Sequence, residues 1–253
     1  MAPWLTPELL ARLRSGPWFG SISRELESDL LGLATSRRLA PGEHLFFRGD
    51  PADGLYAVLE GCLRISGVTE AGKEAILSLV DAPNWLGEIA LFDGLPRTHN
   101  AVAEGATRLL HVPAAGLNRL LSGKPHHWRD LGVLMALRLR LVLIGMEDLA
   151  LLPAEGRLAR RLVWLVETSS MGQGPGPCVV PISQAQLGMM LSLSRQTTNQ
   201  ILQSLQDQQV LRVAYGRIEI LDRSRLMEVA RVSLGERQVL SQMQVSPVDS
   251  PGG

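Results

Sequence analysis

A short stretch of this sequence, residues 87–98, combines residue types that can bind a phosphorylated sugar. Gly87 lets the backbone approach a ligand closely because it has no side chain. Arg97 offers a planar fork of donors that matches the oxygens of a phosphate, and Thr98 adds a hydroxyl donor. Glu88 would repel a phosphate, so its expected target is a neighbouring sugar hydroxyl. A ribose phosphate satisfies all of these demands.

The middle of the same stretch predicts one helical turn over residues 88–92, which includes Ile89 and Ala90. The free N–H groups and the positive end of such a turn attract an anion. In the alternative interpretation the glycines are simple turn residues, and the carboxylate and guanidinium form a surface ion pair. We favour the ligand site because the complete string is far more specific than any one of its pairs.

A second motif, in residues 183–205, predicts two short helices joined by a tight turn. Ser183 and Gln186 form a capping box at the first helix, and Ser194 caps the second. The leading end of the second helix exposes a polar face made of Arg195, Gln196, Asn199 and Gln200. Arginine can bind guanine with two hydrogen bonds, and Gln or Asn can bind adenine. The pattern indicates a helix-turn-helix that binds double-stranded DNA.

Residues 210–220 follow this motif and predict a β-hairpin that turns at Tyr215 and Gly216, the wing of a winged helix-turn-helix. Residues 155–231 hold nine Arg against six Asp plus Glu, a net charge of +3 that suits phosphate contacts. A polar helix face that is merely solvated is the alternative. The predicted DNA-binding residues are Ser183, Ser194, Arg195, Gln196, Thr197, Asn199, Gln200 and Arg217.

Length and composition bound the remaining possibilities. The 253 residues are 45% apolar, enough for one large or two ordinary domains, and 25 basic residues balance 25 acidic ones. Cys62 and Cys178 lie too far apart for a CxxC pair and are too few for a four-cysteine metal site. The sequence shows neither a long uncharged apolar run nor a signal peptide, so we expect a cytoplasmic protein.

A rival interpretation of a small β-roll is a metal-dependent cupin enzyme. The positions of the histidines decide whether this interpretation is plausible. That chemistry needs clustered ligands, such as His-x-His with a downstream carboxylate. Here His44, His99 and His111 are isolated, and His126 and His127 are adjacent, which in a regular helix or strand puts them on different faces. We therefore expect no metal site, no catalytic residues and no enzyme.

The elements that must position these motifs can be read from periodicity. Residues 1–20 are rich in Pro and Gly and predict a loosely docked arm, parts of which pack through Trp4 and Trp18. Residues 21–35 have a helical pattern that Ser21 or Ser23 could cap. Residues 38–112 show short alternating runs with regular glycine turns, which indicate an antiparallel roll or sandwich.

A long helix is predicted over residues 127–152, bounded by Pro125 and Pro153. One apolar stripe on it repeats every 3.5 residues, the spacing of a two-stranded coiled coil. The stripe consists of Met135, Leu139, Val142, Met146 and Leu149. We expect these residues to form a homodimer interface. A helix buried within one larger domain is the alternative.

The string from Gly87 to Thr98 resembles the phosphate-binding cassette of cyclic-nucleotide-binding domains, and the preceding glycine turns resemble the framework of their β-roll. Ser194-Arg195-Gln196-Thr197 and Ile201-Leu202 resemble the recognition helix of the Crp/Fnr family of bacterial transcription regulators. Cassette, long helix and winged helix-turn-helix occur in that family's order over residues 21–231.

The resemblance implies an α+β fold with an N-terminal antiparallel β-roll of the jelly-roll type, a long dimerisation helix and a C-terminal winged helix-turn-helix. Glu88 would hold the ribose 2′-hydroxyl, Arg97 and Thr98 the cyclic phosphate, and Arg138 matches an arginine that the family keeps near the ligand. The implied effector is a cyclic nucleotide, cAMP or a related one. The implied partners are an operator DNA, a second copy of the chain and RNA polymerase, with no membrane.

The sequence also departs from the family pattern. His99 follows the cassette where many members carry a small residue, and Val142 and Leu143 replace the hydroxyls that contact adenine in cAMP-sensing members. Val142 is nevertheless the predicted effector contact at that position. Gln196 and Gln200 replace a glutamate and an arginine of the recognition helix, so we expect a different operator sequence.

Two alternatives to the leading hypothesis remain open. The same regulator could respond to a different effector or to none, with haem as one example, or a ligand-binding module could act through protein contacts. The expected domains are an arm (1–20), an effector domain (21–124), a dimerisation helix (125–153), a DNA-binding domain (154–235) and a flexible tail (236–253).

Overall fold

The computed structural model of the chain describes residues 4–168, 178–232 and 236. The described chain divides into two compact units. Residues 4–69 and 77–141 belong to the first, and residues 70–76 and the chain from residue 142 belong to the second. All but the first residue of the expected tail, 236–253, lies outside the described residues.

The helices and strands follow the predicted order of a β-rich half and a helical half. The helices are α1 (Pro7–Ser15), α2 (Arg24–Leu33), α3 (Ile89–Asp93), α4 (Ala114–Gly123), a 3-10 turn (Pro125–His127), α5 (Trp128–Leu151), α6 (Ala154–Thr168), α7 (Gln184–Leu191), α8 (Arg195–Asp207) and α9 (Arg223–Val229). The strands are β1 (Thr35–Leu39), β2 (His44–Phe46), β3 (Gly54–Glu60), β4 (Cys62–Val68), β5 (Glu74–Asp81), β6 (Trp85–Leu86), β7 (Asn100–Ala103), β8 (Thr107–Pro113), β9 (Cys178–Val180), β10 (Leu211–Ala214) and β11 (Arg217–Ile220).

The β-rich half contains two four-stranded sheets, ordered β1-β8-β3-β6 and β2-β7-β4-β5. The pairs β1–β8, β3–β8, β2–β7 and β4–β7 are all antiparallel. The sheets enclose a core that includes Leu45, Tyr56, Leu63 and Leu109. This architecture, together with the long helix and the C-terminal helix-turn-helix, confirms the predicted α+β fold.

Strand β3 is buried along almost its whole length because it is covered on both faces. Successive side chains of a strand point to opposite faces. Tyr56 and Val58 contribute to the core between the sheets, whereas Leu55, Ala57 and Leu59 contribute to a second core shared with the helices. Strand β3, which pairs with the strand β6 that leads into the cassette region, is therefore packed on both faces.

The N-terminal segment corrects the expectation of a loosely docked arm. Helix α1 begins at its N-cap Thr6 and buries Leu9 and Leu13 in the second core. Trp18 is also buried there, packs edge-on against Trp85 at 5.1 Å, and donates from its indole N–H to the Asp130 carbonyl at 2.7 Å. The Pro and Gly residues of this segment mark the ends of a helix and a turn, while its apolar residues complete the core.

The C-terminal unit contains helices α6 to α9 and the sheet β10-β11-β9. Arg160 of α6 is a buried cation that connects several helices of this unit. It pairs with Asp148 at 2.6 Å and donates to the carbonyls of Ala230 at 3.1 Å and Arg231 at 2.8 Å. A buried charge is stable only when it is paired and hydrogen-bonded, so these contacts lock the end of α5 to α6 and to the end of α9.

Candidate functional sites

Seven of the eight predicted effector-binding residues line one cavity of the first unit, whose volume is about 160 Å³. They are Gly87, Glu88, Ile89, Ala90, Arg97, Thr98 and Arg138. Phe46, His99 and several aliphatic residues complete the wall. Val142, the eighth, is exposed on α5, and its role as an effector contact stays a prediction.

Arg97 makes three hydrogen bonds, more than are seen for the other charged residues that line this cavity. Its side chain is almost fully buried, and its guanidinium lies 4.5 Å from the centre of the Phe46 ring. One terminal nitrogen donates to Asp53 at 2.7 Å and to the Gly54 carbonyl at 2.8 Å, and the other donates to the Gly87 carbonyl at 3.3 Å. Among the residues that the structure describes, the buried Nε atom has no hydrogen-bond partner, so this donor is unsatisfied.

Asp53 positions Arg97, and the sequence analysis did not identify it. Its carboxylate accepts hydrogen bonds from both Arg97 and the Tyr56 hydroxyl. Burial would raise the pKa of Asp53, but the hydrogen bonds from Tyr56 and Arg97 outweigh burial and lower it. Burial and the bond to Asp53 raise the pKa of Tyr56, so the phenol stays protonated as a donor. The signal that could have found Asp53 is its position next to Gly54, at the start of a continuous apolar strand.

A side chain at residue 87 is disfavoured for two reasons, while the expected approach of its backbone to a ligand stays a prediction. Its φ of +101° lies in a region that favours glycine. An added Cβ would also meet the Gly54 carbonyl oxygen at 2.8 Å and a terminal nitrogen of Arg97 at 3.0 Å. Because residue 87 has no side chain, the Arg97 guanidinium has room to lie close to it.

Glu88 is buried at the N-terminal end of α3, with 3% of the residue exposed. Arg138 of α5 lies 3.5 Å from the Glu88 carboxylate and also donates to the Trp85 carbonyl. The long helix thus supplies a cation to the wall of the cavity, as the resemblance implied. The pair of Glu88 and Arg97 does not form the surface ion pair of the alternative interpretation, since both residues are buried and bind other partners.

Thr98 and His99 form the polar mouth of the cavity. The Thr98 hydroxyl is exposed and lies 2.9 Å from Nδ1 of His99. Burial, and to a smaller extent the charge of Arg48, lower the pKa of His99, which favours a neutral ring at neutral pH.

The helix-turn-helix forms as predicted. Ser183 closes a capping box with Gln186 at the start of α7, and Ser194 caps α8 by accepting from the Thr197 N–H at 3.0 Å. Ser192 connects the helices in the left-handed region, with φ of 54°. A Cβ on Gly188 would lie 3.0 Å from the Thr198 hydroxyl oxygen, so the helices approach closely at that glycine.

The predicted reading face of α8 is open to solvent. Arg195, Gln196, Asn199 and Gln200 are exposed, while Thr198, Leu202 and Leu205 are buried beneath them. The hydroxyls of Ser183, Ser194 and Thr197 are instead engaged in capping contacts. Their primary role in this geometry is to fix the start of each helix, and any DNA contact would be additional.

The hairpin of β10 and β11 turns at Tyr215 and Gly216, as predicted for the wing, and the Tyr215 side chain is fully exposed. Arg217 lies 3.2 Å from Glu219, which also pairs with Arg212. The hydrogen bond and the charge of Arg212 lower the pKa of Glu219. The wing therefore presents less positive charge than its arginines alone indicate.

The predicted dimer stripe on α5 is largely uncovered in the single chain. Leu139, Val142, Met146 and Leu149 are each more than half exposed, and Met135 is half-buried. Such a row of apolar side chains on one face of a helix is typical of an interface. Among the described residues, no helix is both long and apolar enough to cross a membrane.

The comparisons with known proteins agree with this geometry. Residues 36–124 match the cyclic nucleotide-binding domain family, and residues 156–229 match the Crp-like helix-turn-helix domain family. The chain is 30% identical over 219 residues to the cyclic AMP receptor protein of Thermus thermophilus, covering 86% of this chain and 98% of that protein. It is 28% identical over 168 residues to the cAMP-activated global transcriptional regulator CRP of Escherichia coli O6:H1, covering 66% of this chain and 80% of that protein.

Among solved structures, a CRP/FNR family transcriptional regulator from Thermus thermophilus superposes with a TM-score of 0.65 at 28% identity. The alignment covers 78% of this chain and 98% of that one. The two domain families, in this order and at this coverage, show that the chain belongs to the Crp/Fnr family of transcription regulators.

Proposed function

We propose that this transcription regulator is a homodimer whose binding to an operator is controlled by a cyclic nucleotide in the cavity of the first unit. The main support for the proposal is the buried guanidinium of Arg97. Asp53 and two backbone carbonyls hold this group, and its buried Nε donor has no hydrogen-bond partner among the described residues. A cyclic phosphate supplies the acceptor that this donor lacks.

The remaining cavity residues fit the rest of the ligand. Glu88 is a buried carboxylate that can accept from the ribose 2′-hydroxyl, and Thr98 offers an exposed hydroxyl beside the phosphate position. Arg138 brings a second positive charge, carried by the long helix. The cavity of about 160 Å³ is smaller than the roughly 300–1,000 Å³ of typical ligand pockets, so binding must widen it.

The base end of the ligand is where this chain departs from its cAMP-sensing relatives. Val142 and Leu143 are both more than half exposed on α5, at the positions where those relatives carry hydroxyls. An amino group of a purine gains no hydrogen bond from hydrocarbon and loses water there. We infer that affinity comes from the sugar and phosphate, with weak discrimination between adenine and guanine.

The exposed stripe on α5 supplies the dimer interface. Two copies of Leu139, Val142, Met146 and Leu149 would bury each other as the central positions of a coiled coil. A homodimer carries two α8 helices, as a two-fold symmetric operator with half-sites about 34 Å apart requires. Arg195, Gln196, Asn199 and Gln200 then read base edges, the wing contacts phosphates, and RNA polymerase is the expected partner at the promoter.

Ligand binding can reach the recognition helix through α5. Arg138 connects the early part of this helix to the cavity wall, and Asp148 connects its end to Arg160 of the DNA-binding unit. A ligand that binds one arrangement of α5 better than another shifts the population toward that arrangement. One continuous helix is sufficient to carry the shift.

The first prediction concerns the phosphate contact. Arg97→Ala should weaken cyclic nucleotide binding at least tenfold, because a hydrogen bond to a charged group contributes about 1.5–3 kcal/mol. Isothermal titration calorimetry with cAMP and cGMP measures the loss. Arg38→Ala, which removes an exposed arginine of β1, is the control and should leave the affinity unchanged. Equal affinities for the Arg97→Ala variant and the natural protein would exclude this cavity as the nucleotide site.

The second prediction concerns the dimer. Met146→Glu places a charge in the middle of the apolar stripe and should convert the dimer to monomers, as measured by analytical ultracentrifugation. Arg140→Glu changes an exposed residue outside the stripe and should leave the dimer intact. A dimer that persists in Met146→Glu would show that another surface forms the interface.

The third prediction concerns base reading. Selection of bound duplexes from a random pool first defines the operator. Arg195→Ala should then weaken operator binding by about 1–3 kcal/mol and relax selectivity at one base pair. Gln203→Ala, further along α8 where the side chain bonds Asp207, should change neither affinity nor selectivity. If Arg195→Ala weakens all sequences equally, Arg195 contacts phosphate and the base assignment is wrong.

A further inference from the structure

A cluster of two imidazoles and two carboxylates lies outside both of these sites, where α2 meets the 3-10 turn that precedes α5. Nε2 of His126 is 3.3 Å from a carboxylate oxygen of Glu25, and Nε2 of His127 is 3.3 Å from a carboxylate oxygen of Asp29. The two imidazole rings are 4.2 Å apart. Ligand atoms of Glu25, His126 and His127 all lie within 4.8 Å of one another.

These distances are compatible with metal coordination as well as with weak hydrogen bonds. A charge-assisted hydrogen bond between nitrogen and oxygen spans about 2.7–2.9 Å, clearly less than the observed 3.3 Å. Four ligands at about 2.0–2.1 Å around a tetrahedral Zn²⁺ are separated from each other by about 3.3–3.4 Å. Each imidazole–carboxylate pair therefore has the length of a tetrahedron edge.

One of the proposed ligands is buried, whereas two others are exposed to solvent. The His127 side chain is fully buried, and its Nδ1 atom has no hydrogen-bond partner in the part of the chain that the structure describes. The Glu25 and His126 side chains are more than half exposed, so an ion can reach the cluster from solvent. This differs from an exposed acidic patch, because an immobile imidazole fixes one ligand position.

We propose that Glu25, His126 and His127 form a binding site for a divalent transition-metal ion of the Zn²⁺ class, with Asp29 beside His127 as a neighbouring carboxylate. Imidazole and carboxylate together are a common zinc ligand set, whereas Mg²⁺ and Ca²⁺ prefer sites made of oxygen alone. The expectation of no metal site assumed a regular helix or strand, in which adjacent residues diverge. The 3-10 turn Pro125–His127 instead brings the two rings together.

The ammonium group of Lys124 would compete with the ion for these carboxylates. This group lies 2.6 Å from Asp29 and 2.9 Å from Glu25, so it neutralises the two carboxylates. The Lys124 side chain is about one-third exposed and can swing into solvent when an ion takes its place.

The position of the site gives it a regulatory consequence. The 3-10 turn leads directly into α5, the helix that carries Arg138 and the dimer stripe. An ion bound by α2 and this turn would fix the start of α5. The regulator would then respond to metal at one end of the helix, independently of the cavity that Arg97 lines.

The test titrates the full-length protein with Zn²⁺ by isothermal calorimetry, with Mg²⁺ as a control titrant. We expect one Zn²⁺ per chain and no binding of Mg²⁺. Binding should weaken about tenfold or more in His126→Gln and in Glu25→Gln, which change exposed side chains and leave the buried His127 in place. Lys124→Gln should tighten binding, because it removes the competing cation. His99→Gln, an imidazole outside the cluster, should have no effect.

A second readout is the visible absorption of Co²⁺, which is intense only in tetrahedral coordination and should disappear in His126→Gln. The proposal is overturned if the natural protein binds no Zn²⁺, or if His126→Gln and Glu25→Gln bind it as tightly as the natural protein does. A Lys124→Gln variant with unchanged or weaker affinity would equally contradict a site in which the ammonium and the ion compete.

Discussion

The arrangement of the effector unit depends on one buried positive charge, the guanidinium of Arg97. Burying a cation costs much free energy unless it is paired and hydrogen-bonded. Here Asp53, the Gly54 and Gly87 carbonyls and the Phe46 ring supply that compensation. The compensation is incomplete, because Nε has no hydrogen-bond partner among the described residues; this unsatisfied donor is the basis of the proposal that the cavity binds an anion.

Other features of the fold follow from the need to hold this charge in place. Asp53 stands at the start of β3, the strand that both cores bury, so its position is fixed by packing on two faces. Gly87 leaves the space that the guanidinium fills. The long helix α5 brings Arg138 to the cavity wall, which links the state of the cavity to a helix whose end is held by Arg160. Arg138 at the cavity wall belongs to α5, and Arg160 pairs with Asp148 near the end of the same helix.

What could be predicted from the sequence is what depends on local patterns. The cassette is contiguous, the capping residues Ser183 and Ser194 mark helix starts directly, and the 3.5-residue stripe on α5 needs no tertiary information. What the sequence analysis missed depends on distant contacts. Asp53 is 44 positions from Arg97, and Trp18 meets Asp130 across 112 positions, so neither role is visible in a local window. The two adjacent histidines lie in a 3-10 turn where their rings are 4.2 Å apart, a proximity that helix or strand periodicity does not predict.

The most direct test of the central claim is the reciprocal coupling between the two sites. Operator affinity should be measured by fluorescence anisotropy across a titration of cAMP or cGMP, and nucleotide affinity should be measured with and without the operator. The account predicts that nucleotide raises operator affinity and that operator raises nucleotide affinity by the same factor, because linkage between two binding equilibria is reciprocal. Operator binding that is the same at zero and at saturating nucleotide would contradict the claim that the Arg97 cavity controls the DNA-binding helices.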